Sequence, residues 1–244
     1  YGEGHIDNWI LSRNMLRNSS VKHQNNDTAL PKLSEYESDE TENKLRYERV
    51  YTTLPFKLSF GAGLRYASYT NRSERLTYQS GQVVPLSYDA QIKQLAYSAF
   101  AQASDEYLDK RLKLSLGLNL VGNTLNSTMS NPFPQVSPRL SASFALSDDI
   151  DLNANVGRYA MQPSYTSMGY RAPDGTYANK ERLRYIMSNQ ALLGMEYHPG
   201  DHLRFSAEGF YKSYSAYPIS ENEGVSLASK GTEYGQVGAE AVLS

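Results

Sequence analysis

The sequence predicts an all-β chain, a segment of a transmembrane antiparallel β-barrel with short turns at one end and long loops at the other. Three observations predict it. Apolar residues alternate with polar ones at period two in segment after segment, which is the repeat of a strand. The connections between those segments alternate between short and long along the whole chain. Tyrosine is abundant, with 20 Tyr against 7 Phe and 1 Trp; it suits strands and membrane interfaces alike.

The clearest segment is Arg111 to Val121, RLKLSLGLNLV. Leu112, Leu114, Leu116, Leu118 and Leu120 share one face, and Arg111, Lys113, Ser115, Gly117 and Asn119 share the other. The same pattern recurs at 56–66, 94–103, 139–146, 150–157, 190–197, 203–212 and 236–243. A weaker strand is expected over about 43–53 and another near the start, about ten strands in all. Short connections are expected at Leu54-Pro55, Leu108 to Lys110, Ser147 to Asp149 and Pro199 to Asp201. Long loops are expected over 11–42, 70–90, 122–138, 162–181 and 217–232. A soluble sandwich alternates too, but has no reason to keep every second connection long. An outer-membrane barrel does, with tight periplasmic turns and long extracellular loops.

Dimensions agree. Nine residues, Leu112 to Leu120, extend about 30 Å at ~3.3 Å each. Tilted by ~40° they span roughly 23 Å, close to the apolar band of such barrels. Phe56, Tyr107 and Tyr197 share the apolar parity near the short turns, as an interfacial girdle would. The opposite face carries Arg65, Lys113, Arg139, Arg204, Glu208, Lys212 and Glu240. That suits a wide barrel with a wet or plugged lumen, not a small one packed with apolar side chains.

Composition excludes several classes. Mean hydropathy is −0.57, too polar for a helical membrane protein, and no run of eighteen apolar residues occurs. There are no cysteines, so disulfides, thiolate metal sites and Cys nucleophiles drop out. A formal net charge of −2 argues against a nucleic-acid partner. No Gly-x-Ser-x-Gly elbow, phosphate loop or HExxH points to catalysis, and no cofactor is expected. The start, Tyr1-Gly2-Glu3-Gly4, lacks a signal peptide; the expectation is a piece of a longer exported protein.

Four phrases carry a family resemblance: SPRLSASFALSDDIDLNANVGRYAMQPSY at 137–165, NQALLGMEYHPGDHLRFSAEGFYKSYSAYP at 189–218, VSLASKGTEYGQVGAEAVLS at 225–244 and LSFGAGLRYASYT at 58–70. Their ordered succession resembles TonB-dependent outer-membrane receptors, of the type with a carboxypeptidase-like N-terminal extension. The resemblance implies a ~22-stranded barrel closed by an N-terminal plug. It also implies energised uptake of a bulky nutrient (siderophore, glycan, peptide or similar) through contact with the TonB complex. Outer-membrane lipid and a surface lipoprotein are further expected partners. Neither plug nor closing strand lies within these 244 residues, so the expected domain is a partial barrel over 1–244. A passive channel, or an export or adhesion barrel, is the alternative.

One loop stands out as a ligand grip. In YAMQPSYTSMGYR, residues 159–171, Tyr159, Met161, Tyr165, Met168, Tyr170 and Arg171 combine rigid aromatics with a guanidinium. Packing against neighbouring loops is the competing explanation. Tyr170-Arg171-Ala172-Pro173 resembles the aromatic-Arg-Ala-Pro box of haem receptors, but no His follows before His198, which argues against haem. His198 and His202 flank a Pro-Gly turn and read as exposed turn residues; with His5 and His23 they form no cluster. The run Glu35, Glu37, Asp39, Glu40 and Glu42 reads as a solvated loop surface, in a segment, 11–42, expected to be mobile. Asp27-Thr28-Ala29 resembles a short O-glycosylation acceptor. Glu208 is expected to pair with Arg204 or Lys212 on its own strand face.

Overall fold

The computed structural model describes residues 4–79, 82–171, 174–200, 202–220, 226–227 and 234–243. Ten strands form one antiparallel meander: β1 His5–His23, β2 Lys32–Tyr51, β3 Lys57–Gln79, β4 Gln82–Tyr107, β5 Leu112–Asn123, β6 Ser137–Ala145, β7 Ile150–Met161, β8 Ile186–Gly200, β9 Leu203–Ser215 and β12 Tyr234–Leu243. Between the last two, β10 (Ile219–Ser220) and β11 (Ser226–Leu227) form a small ribbon of their own. Two short helices, α1 Ser127–Ser130 and α2 Tyr165–Gly169, lie in the connections after β5 and β7.

The alternating segments become strands, and from 56–66 to 203–212 they have the expected facing; the side chains of 236–243, Glu240 among them, lie outside the described residues. Leu116, Leu193, Val156 and Phe205 stand exposed on one face. The other face carries the charges and supports the loops that fold inward. The first is the lipid side and the second the lumen, since an apolar face left in water would be unstable. The outward apolar run is nine residues long in β3 (Leu58 to Tyr66), β4 (Leu95 to Ala103) and β5 (Leu112 to Leu120). Phe56, Tyr107 and Tyr197 are exposed at the short-turn end.

The register fixes the strand tilt. A single row of partners runs Leu58, Ala103, Leu116, Leu140, Val156, Ala191 and Tyr211. Leu58 is one residue above the first residue of β3, whereas Tyr211 is eight above the first of β9. A drift of seven residues over six strand steps, at ~3.3 Å per residue and ~4.8 Å per strand, gives a tilt of about 39°. Closed membrane barrels have tilts of about 35–45°.

Two expected loops are strands instead. Residues 11–23 and 32–42 form the outer halves of β1 and β2, and 70–79 and 82–90 those of β3 and β4. Here both faces are wet or covered by polar loop, so alternation fades although the ladder continues without a break from Tyr51↔Leu58 to Ser34↔Arg75. The acidic run is therefore not a loop surface: Glu35, Glu37 and Asp39 face outward on β2, and Glu40 and Glu42 face inward. Arg17 pairs with Asp39 at 3.0 Å across the ribbon. Arg204 pairs with Glu196 on β8 at 2.7 Å, not with Glu208; the cross-strand neighbour is nearer than the same-face neighbour on the strand.

β5 ends at Asn123, opposite Ala96, so β4 runs on with an open side. Thr124 covers Leu95, donating its N–H to the Leu95 carbonyl at 3.0 Å and accepting the Leu95 N–H at Oγ1 at 3.0 Å. Tyr177 does the same for Gln91, its hydroxyl accepting the N–H at 3.2 Å and donating to the carbonyl at 2.8 Å. Pro85 has the same parity and no N–H to leave bare.

Candidate functional site

Residues 162–185 leave β7, cross the lumen and reach the inner faces of β2, β3 and β4. Ser164 caps α2, its Oγ accepting the Ser167 N–H at 3.2 Å. Gly169 lets α2 lie flat on the wall: a Cβ there would sit 3.3 Å from Ala90 Cβ and 3.4 Å from Tyr69. The ring of Tyr165 stacks on Tyr69 with centroids 5.5 Å apart. From the β5 side, Asn126 caps α1, accepting the Met129 N–H at 2.8 Å, and donates its amide to the carbonyls of Lys180 (2.6 Å) and Leu183 (3.0 Å). Met129, Met168 and Leu183, all fully buried, form the centre of the core these two loops share.

A charged latch ties the crossing loop to the wall. Glu42 is buried, and it accepts the Tyr165 hydroxyl at 2.9 Å while Lys44 Nζ lies at 2.6 Å and Arg65 Nη1 at 3.2 Å. Arg65 also donates through Nη2 to Gln162 Oε1 at 2.7 Å. Asn123 donates to Gln162 at 3.4 Å and to the Tyr185 hydroxyl at 3.2 Å. Burial first, and the bond to Glu42 with it, pushes the Tyr165 hydroxyl up to about 12.

Below this latch lies a cavity of about 650 Å³, lined by Glu42, Lys44, Arg65, Met161, Tyr165 and Tyr185 among others. It adjoins, through Arg46, Gly63, Ser98 and Val121, a second of about 670 Å³ deeper in the lumen. There Arg139 lies over the ring of Tyr159 at 4.3 Å and Arg46 over Phe100 at 5.0 Å. Stacking holds both guanidinium planes, and Arg46 also reaches Glu48 at 3.4 Å.

The six expected grip residues divide. Tyr159 and Met161 line these chambers. Tyr165 lines the upper one with its ring committed to Tyr69. Met168 is in the loop core, out of reach of solvent. Tyr170 packs edge-on against Tyr88 at 5.5 Å. Arg171 donates to the Gly175 carbonyl and the Tyr177 hydroxyl, each at 3.0 Å, shaping its own loop. Ala172 and Pro173 of the aromatic-Arg-Ala-Pro stretch lie outside the described residues. Glu42, Arg65, Gln162 and Tyr69, which build the latch, come from strands far apart in sequence; no local motif marks them as a set. Among the described residues no group of three or more His, Asp or Glu could hold a metal ion.

A family model described as TonB dependent receptor-like, beta-barrel, matches residues 2–242. The chain belongs to that family. Solved structures of such receptors superimpose on it. The copper transporter OprC is 15% identical with a TM-score of 0.69, over 96% of this chain and 39% of its own. The pyoverdine outer membrane receptor FpvA from Pseudomonas aeruginosa is 17% identical with a TM-score of 0.71, over 100% and 40%. The ferric enterobactin receptor PfeA from Pseudomonas aeruginosa is 16% identical with a TM-score of 0.65, over 100% and 39%. The chain thus spans about two-fifths of the receptors it resembles. Comparison with curated proteins gives no match. As a receptor barrel of this family the chain is an outer-membrane protein, its short turns periplasmic and the crossing loop and the outer halves of its long strands extracellular.

Proposed function

We propose that residues 1–244 form one wall of a TonB-dependent transporter that takes up a bulky nutrient by energised transport, and that the crossing loop shapes the chamber its ligand enters. The observation that carries this is the lumen itself: two adjoining chambers, walled by ring-stacked arginines and tyrosines, beneath a loop held across the mouth by Glu42 and Arg65. In this reading Tyr159 and Met161 touch ligand, while Tyr165, Met168, Tyr170 and Arg171 hold the loop that presents them. A plug carried elsewhere in the protein contacts the TonB complex, and a surface lipoprotein is a candidate lid. Neighbouring structures named for copper, pyoverdine and enterobactin support metal-linked cargo; a glycan or peptide fits the polar walls as well.

The test is growth of cells lacking their own receptors and carrying the full-length protein. They are offered, one at a time, ferric siderophores, cobalamin, oligosaccharides and peptides as the limiting nutrient. One nutrient should restore growth only when TonB is present, and Met161→Asp with Tyr159→Ala should lower its uptake at least tenfold. Ion conductance in planar bilayers without energy input, with no TonB-dependent growth on any of them, would instead make the protein a passive channel.

A further inference from the structure

The tip of the β1–β2 hairpin carries a chemistry that transport does not use. Asp27 is the only aspartate in the chain followed directly by Ser or Thr, and a small residue, Ala29, comes next. The turn that presents them is fixed by its own bonds. Asn25 and Asn26 take positive φ of 55° and 56°, which Asn tolerates better than most side chains. The Gln24 N–H donates to the Pro31 carbonyl at 3.2 Å, and the Asp27 N–H to the Gln24 carbonyl at 3.1 Å. His23 Nδ1 donates to the Leu30 carbonyl at 2.9 Å and closes the base of the turn. The Leu30 N–H donates to the Asp27 carbonyl at 3.0 Å, so Thr28 and Ala29 are the central pair of a β-turn. Asp27 Oδ1 accepts the Ala29 N–H at 2.9 Å, the side-chain bond that mimics and stiffens such turns. Thr28 is exposed, and its hydroxyl has no partner among the described residues; neither has Asp27 Oδ2. β2 is 20 residues long. At ~3.3 Å per residue and a tilt of about 39° it climbs about 50 Å along the barrel axis, roughly twice the apolar band. The tip therefore stands on the extracellular side, clear of the acyl chains.

We infer that Thr28 is the acceptor of an O-linked glycan, and that the Asp27 carboxylate beside it is part of what the transferase recognises. The compartment narrows the choice of modification. Phosphorylation needs a nucleoside triphosphate, which the periplasm and the medium lack. An acyl group at the tip would hang in water, far from the apolar layer. A glycan is soluble there. Its donor class, a sugar carried on a polyprenyl diphosphate, faces the periplasm, which the hairpin crosses before the barrel is assembled. In the transfer, Thr28 Oγ bonds to the anomeric carbon of the sugar. The anomeric bond to the diphosphate oxygen breaks, its electron pair leaves with the polyprenyl diphosphate, and the hydroxyl proton passes to a base on the transferase. The second oxygen of Asp27 is a mark that a basic residue of the transferase can hold. Ala29, with only a methyl group, leaves room beside the new sugar. Gln24, Asn25 and Asn26 around it are exposed, uncharged, and offer amides to sugar hydroxyls.

The test uses the full-length receptor purified from the outer membranes of the cells that make it. Trypsin cuts after Lys22 and Lys32 and releases residues 23–32 as one peptide, whose mass is read directly. Most copies should carry an increment of several sugar residues. Alkaline β-elimination should remove it and leave Thr28 dehydrated. Thr28→Ser should keep the increment, Thr28→Ala should abolish it, and Asp27→Asn should lower its occupancy at least tenfold. Ser19→Ala, which removes another exposed hydroxyl of the same ribbon, should leave it unchanged. Bare peptide from wild-type membranes, or an increment equal in mass to phosphate or to an acyl chain, overturns the proposal. So does a glycan that survives Thr28→Ala or stays at full occupancy in Asp27→Asn. The wild-type digest decides the matter alone if a variant does not reach the membrane.

Discussion

Glu42 is the residue on which the crossing loop most depends. It takes a hydroxyl and two cations at once, and it is buried. Glu42→Ala leaves Lys44, Arg65 and Tyr165 without their shared acceptor, a loss of about 1–3 kcal/mol of local stability. Limited proteolysis should then cut within 162–185 at lower protease concentration, while the barrel strands stay intact. Tyr165 gives a pH signature. Its folded value is raised above that of an exposed tyrosine, so its contribution is complete below about pH 10 and fades as pH climbs through about 12. Ultraviolet titration should show several late-ionising tyrosines, and Tyr165→Phe should lower their number by one. Glu42 was visible in the sequence as part of an acidic run, but its role was not, because the partners lie on β3 and after β7.

At the level of elements, strands in lipid and strands in water obey different rules. The Leu112 to Leu120 run was legible because one face must be apolar. The outer halves of β1–β4 were not, because nothing forces alternation where both faces meet water or polar loop. What holds them is the ladder and the treatment of its open side. Tyr177→Phe removes the hydroxyl that covers Gln91; the Gln91 amide should exchange roughly tenfold faster, for a bond worth about 1–1.5 kcal/mol. The crossing loop rests instead on apolar packing. Met168→Ala empties a fully buried position at a cost of about 2–5 kcal/mol. It should loosen 162–185 without lowering the heat-resistance of the barrel on gels.

For the molecule as a whole, the two faces predict opposite tolerance of charge. Leu116, outward and 61% exposed, faces acyl chains; Leu116→Arg should cost about 2–4 kcal/mol. Ser115→Arg, one residue away and turned to the lumen, should change stability by less than about 1 kcal/mol. Urea unfolding of the full-length receptor in lipid vesicles measures both. The barrel, its facing and its short turns were all readable from period-two alternation and the spacing of turns. The chamber was not, because it is made where a loop returns to strands more than ninety residues earlier, as Gln162 does to Arg65.

The tilt of about 39° has a consequence above the membrane. β3 continues some thirteen residues past Tyr66, and at that slant its tip is carried roughly 27 Å sideways around the circumference. β5 to β7 end low by comparison. Along this wall the rim therefore rises as a tall, leaning parapet over β1 to β4 and drops to a low sill over β5 to β7. Of the two flanks of this wall, only the parapet would stand in the way of a large solute approaching from the side.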